Sequence, residues 1–136
     1  MIRDRVPDKF KSQSMLKAAE IDITFLKTLK PAQETAQTIV RGTYENFRIL
    51  GEALLLIRGK EATGTDHHND MINELLLISV KTTRPVQSLL NLKAIRNRVN
   101  YQGYIPSLEE VKDSISMIDS LFNPLVDAIK KEIERK

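Results

Sequence analysis

The 136-residue chain has no cysteine and no tryptophan, and only five glycines and five prolines. Without thiols it can form neither a disulfide nor a thiolate metal site, and it fits a reducing compartment. No apolar run approaches the ~20 residues that a membrane-spanning helix needs. The opening MIRDRVPDKF lacks the apolar stretch of a secretory signal, so a cytoplasmic location is expected. Excess charge is scarce too, because a net +3 tolerates a polyanionic partner without demanding one. There is no phosphate-cradling glycine loop, no G-x-S-x-G elbow and no H-E-x-x-H pair, which sets aside familiar nucleotide-hydrolysing, esterase and zinc-protease chemistry.

What the chain does have is helical periodicity. A 41% hydrophobic and 29% charged composition suits one soluble domain over residues 1–136. A first helix is predicted from Pro7 or Asp8 to Leu29, with Leu16, Ala19, Ile23 and Leu26 on one face. Pro31 opens a second helix reaching about Lys60, striped by Ala36, Val40, Thr43, Phe47, Leu50, Leu54 and Ile57. Gly51, beside that stripe, lets another helix approach closely. Residues 59–64 read as a loop, and Thr65 or Asp66 caps a shorter helix containing Met71, Ile72, Leu75, Leu76 and Ile78.

Thr82, Thr83 and Pro85 announce a fourth helix that stops around Tyr101, before Gly103 and Pro106. Ser107 and Glu110 form an S-x-x-E capping box for a last helix of nearly thirty residues, bent at Pro124. No strand alternation, repeat or low-complexity tract is found. The expected fold is all-α, an up-and-down antiparallel bundle of four long helices and one short one. Arg3, Arg5, Lys9 and Lys11, interrupted by Asp4 and Asp8, make a basic amino-terminal arm over residues 1–8 and just beyond, by default a solvated tail.

The segment AIRNRVNYQGY, residues 94–104, raises the functional question. Leu89, Leu92, Arg96 and Val99 share one helical face, and Asn100 sits on it one turn after Arg96, whereas Arg98 points the opposite way. A guanidinium in an apolar stripe needs a partner. Arg96 with Asn100 can hold a phosphate, or Arg96 can pair with a carboxylate such as Glu45 or Glu52, the commoner arrangement. Tyr101 and Tyr104 can stack on bases or cover the helix end. His67 with Asp70 offers two metal ligands, but no third is evident, so neither metal nor cofactor is expected. His67 and His68 are also the ordinary general-base candidates.

The segment KAIRNRVNYQGY, late in an antiparallel bundle, resembles the signature of the HEPN superfamily, the higher eukaryote and prokaryote nucleotide-binding domain. TYENFRILGEALLLIRGK is similar to that family's second helix and DHHNDMINELL to the entry into its third, so the resemblance spans roughly residues 10–130. Many members are metal-independent endoribonucleases with an Arg, four to six residues, then a His. The resemblance places that arginine at Arg96 and the histidine at Tyr101, Gln102 or Gly103, none of which is histidine.

The resemblance therefore implies a catalytically degenerate RNA- or nucleotide-binding protein that uses Arg96, Asn97, Asn100 and Tyr101. It implies the substrate-binding partner of a small nucleotidyltransferase in a toxin–antitoxin-type pair, and a homodimer whose two arginine motifs face one cleft. His67 or His68 acting from another helix or subunit is a substitution this reading does not favour. The alternatives are an endoribonuclease toxin with an altered site, in which Arg96 is catalytic, and a purely structural dimerising bundle.

Overall fold

In the computed structural model, which describes residues 1–136, Asp8 begins the first helix, α1 (Lys9–Leu26), by accepting a hydrogen bond from the Lys11 amide at 2.9 Å. Leu16, Ala19, Ile23 and Leu26 are buried as their spacing requires. The second helix, α2 (Gln33–Ile57), starts two residues after Pro31 instead of at it. Ala32 is extended, and its amide donates to Thr35 Oγ1 at 3.0 Å, so Thr35 and not the proline closes the first turn. Gly59, at φ 73°, ends the run short of Lys60.

Helix α2 is the axle of the fold. It packs against α1 and against four further helices, namely α3 (His67–Leu76), α4 (Leu89–Gln102), α5 (Leu108–Met117) and α6 (Asn123–Glu134). Phe47 from its middle meets Phe122 edge to face, with ring centroids 5.8 Å apart. The result is the all-α bundle expected from the periodicity.

The last helix runs unbroken from Leu108 to Glu134 as read, with one π-helical turn, Ile118–Phe122, between its α segments α5 and α6. Pro124 lies just after that π turn, whose wider hydrogen bonding accommodates the amide that a proline lacks in mid-helix. Other expectations need correction. The short third helix ends at Leu76, before Ile78, and Asp66 makes no side-chain capping bond.

The amino-terminal arm, finally, is no free tail. Ile2–Asp4 (β1) pairs antiparallel with Lys60–Ala62 (β2), inside the segment read as a loop. Arg3 lies opposite Glu61 and Asp4 opposite Lys60, so two of the three cross-strand pairs join opposite charges. The Met1 ammonium reaches Asp70 at 2.6 Å, tying this edge to α3.

The capping box is present as read. Ser107 Oγ accepts from the Glu110 amide at 3.2 Å, and Glu110 Oε1 accepts from the Ser107 amide at 2.9 Å. Replacing Ser107 by alanine is expected to lower stability by about 1 kcal/mol. Urea unfolding, with an unchanged m-value, checks it.

Candidate functional site

Helix α4 carries two stripes. Leu89, Leu92 and Val99 turn into the core, while Lys93, Asn97 and Tyr101 lie on the flank next to it. Arg96 stands on the border and is half-buried. Its guanidinium lies over the buried ring of Tyr44 of α2, 4.5 Å from the centroid, an arrangement in which the ring face offsets part of the lost hydration. Opposite stand the entry to α3, from Thr65 to Asn69, and its two histidines. Together these walls enclose an open recess of about 430 Å³.

The expected carboxylate partner of Arg96 is not there. Glu45 and Glu52 are taken by Arg48, three residues after one and four before the other on the same helix. Arg48 Nε donates to Glu45 Oε2 at 3.0 Å, its second nitrogen donates to the other oxygen of that carboxylate, and Nη1 donates to Glu52 at 3.1 Å. Burial alone would raise the Glu45 carboxyl, but the hydrogen bond and charge of Arg48 outweigh it and hold it below its usual range. Arg96 forms no ion pair, and its one hydrogen bond within the chain goes from Nη1 to Asn97 Oδ1, at 2.9 Å. The remaining donors of the fork are uncommitted.

A carbonyl oxygen can only accept, so the 2.8 Å contact between His67 Nδ1 and the Gly64 carbonyl places a proton on Nδ1, and the neutral ring then presents the lone pair of Nε2. His68 packs edge to face on His67 at 4.1 Å. Burial lowers the proton affinity of His68, as does the positive charge of Arg48, against a smaller opposing pull from Glu45. Its folded value thus lies below the 6.5 it has when unfolded, and the unfolded chain takes up the proton first as pH falls. Stability from neutral His68 is expected to be whole above that unfolded value and to be lost progressively as pH falls through it. Urea midpoints measured across this range should decline, and the decline should shrink in His68→Gln.

Of the residues singled out from the sequence, Arg96, Asn97 and Tyr101 line one recess, the last with its ring 77% exposed. Asn100 does not join them. It is exposed, and its Oδ1 accepts from Arg41 Nε at 3.0 Å. Tyr104 covers the helix end, with the Arg98 guanidinium 3.7 Å from its ring centroid and its hydroxyl donating to Glu110. Arg98 is otherwise exposed. Lys93 and Tyr44 were not foreseen, although Lys93 precedes Arg96 by three residues and was findable on that spacing. His67 and Asp70 acquire no further ligand, since no three His, Asp or Glu side chains converge. No helix is long and apolar enough to cross a membrane. Comparison with protein-family models, curated proteins and solved structures finds no match to the chain.

Proposed function

We propose that this is a HEPN-like cytoplasmic protein whose recess binds RNA or a nucleotide by its phosphate, as the partner of a small nucleotidyltransferase. The observation that carries the phosphate-binding reading is the state of Arg96, a guanidinium at an open recess with no carboxylate of its own. Lys93 adds a second positive charge, Asn97 an amide, and Tyr101 an exposed ring at the mouth on which a base can stack. The arrangement that would have favoured a purely structural bundle, Arg96 sealed against Glu45 or Glu52, is absent, because those two carboxylates pair with Arg48.

Binding of a labelled single-stranded RNA and of a nucleoside monophosphate, followed by fluorescence anisotropy at low salt, tests the proposal. Arg96→Ala is expected to weaken binding about tenfold, the worth of one charge-assisted contact. It should also reduce the salt slope by about one. Arg98→Ala, whose guanidinium is occupied by Tyr104, should do less. Absence of binding at low salt, or an Arg96→Ala effect on stability alone, would end the proposal.

One observation favours the ribonuclease alternative as a second reading. His67 and His68 share the recess with Arg96, so the imidazole missing from α4 is available from α3. A neutral imidazole can take the proton of a ribose 2′-hydroxyl while that oxygen attacks the phosphorus and the 5′-oxygen leaves with a proton from solvent water, giving a 2′,3′-cyclic phosphate and a 5′-hydroxyl. RNA incubated with chelator should then be cleaved by the native protein and left intact by both His68→Ala and Arg96→Ala. Intact RNA with the native protein leaves binding alone.

A further inference from the structure

Helix α1 is apolar on two sides. Its inner side is buried in the bundle, yet Phe10, Ile21 and Phe25 stand 80%, 63% and 57% exposed on the opposite side. They fall within about 60° of one another around the helix. Ser14 and Ala18, both exposed and both small, complete the stripe between the aromatic ends.

We propose that this stripe is a homodimer interface, in which α1 of two copies of the chain pack antiparallel about a twofold axis between Lys17 and Ala18. The stripe complements itself in that register. Phe10 of one copy meets Phe25 of the second, and Ser14 meets Ile21, so a bulky side chain always faces a small one or an aromatic partner.

The flanking charges agree with the same register. Lys11 lies within about 3 Å, measured along the helix, of the level of Asp22 of the second copy on one side, and Lys17 as near that of Glu20 of the second copy on the other, within reach of a lysine stem. Each pair occurs twice. Neither Lys11 nor Lys17 has an acidic partner within its own chain, in contrast to Lys27, which pairs with Asp119. Asp22 accepts from Asn46 with one oxygen only, and Glu20, its side chain 41% exposed, reaches Lys130 at 3.3 Å.

Three side chains of this size expose on the order of 400 Å² of apolar surface per copy. The two stripes then supply about half of the ~1,600 Å² that a stable pair buries, which is the usual apolar share. This face is distinct from the recess. Gly42, Asn46 and Ala53 turn toward α1, whereas Tyr44 lies about 200° around α2 from Asn46. Pairing through α1 therefore leaves both recesses open and facing away from the axis, unlike a dimer that shares one cleft.

Sedimentation equilibrium of the full chain is expected to show a dimer at about 100 µM, a concentration at which even a modest association is populated. Ile21→Lys should weaken it about 100-fold or more while leaving the far-ultraviolet circular dichroism unchanged. The absence of native cysteine allows a register test. A mixture of Ser14→Cys and Ile21→Cys chains should form a mixed disulfide on mild oxidation, whereas Ser14→Cys alone should not. A monomer at that concentration, a dimer indifferent to Ile21→Lys, or a mixture that fails to cross-link would each overturn the proposal.

Discussion

Replacing Gly51 by alanine is expected to destabilise the protein by about 3 kcal/mol, although alanine is the better helix former by about 1 kcal/mol. A methyl built at Gly51 would lie 2.0 Å from the Met71 carbonyl oxygen and 2.5 Å from its carbon. Both atoms are backbone inside α3, so no rotamer change relieves the collision and the whole helix must move. Since α3 forms one wall of the recess, the variant should lose more than global stability. Amide exchange in α3 should accelerate beyond that of α1, and RNA binding should weaken with it. Uniform loss of protection across the chain would show that α3 is not a separable unit. A variant as stable as the native protein would show that the close approach at Gly51 is not needed.

The second large effect concerns Arg48, which touches no ligand in the proposed site. Its removal in Arg48→Ala strips Glu45 and Glu52 of their shared cation and is expected to cost about 2 kcal/mol, less than a fully buried pair because both carboxylates reach solvent. More informative is the effect on the recess. A released Glu45 carboxylate, one residue from Tyr44, is close enough in the fold to feel the Arg96 charge, and it becomes the internal counter-ion that Arg96 lacks. Affinity for RNA should then fall about as far as in Arg96→Ala, by tenfold, with Arg96 itself intact. Glu45→Gln in the same chain should restore most of the binding. If Arg48→Ala binds as the native protein does, sequestering Glu45 plays no part in keeping Arg96 available.

The bundle was legible in the sequence because long helices repeat their signal. Leu16, Ala19, Ile23 and Leu26, or Leu50, Leu54 and Ile57, fall at three- and four-residue intervals that only a packed helix explains, and all are buried. The strand pair was not legible, because three residues are too few for an alternation and its partner lies far off in the chain. The π turn at residues 118–122 keeps nearly the periodicity of the α segments on either side, so the sequence shows the continuous helix but not the local widening of its hydrogen bonds.

At the site, spacing identified Arg96 as anomalous but could not identify its neighbours, which come from α2 and α3. Glu45 and Glu52 read as partners for Arg96 as long as Arg48, which lies between them, is not set against it. Distance along one helix decides between the two arginines, because partners three and four residues away need no tertiary contact to meet. Asn100 looked as close to Arg96 as a turn of helix allows, yet that turn carries it past the recess toward Arg41.

The ladder between Ile2–Asp4 and Lys60–Ala62 bears on the order in which the molecule assembles. Bringing those strands together closes a loop over the whole of α1 and α2, an entropic cost that is recovered only after those two helices have docked on each other. The strand pair is thus expected to form late in folding, and with it the connection it braces, leading into the histidines. A refolding chain should acquire helical ellipticity first and phosphate affinity only in a slower, separate phase.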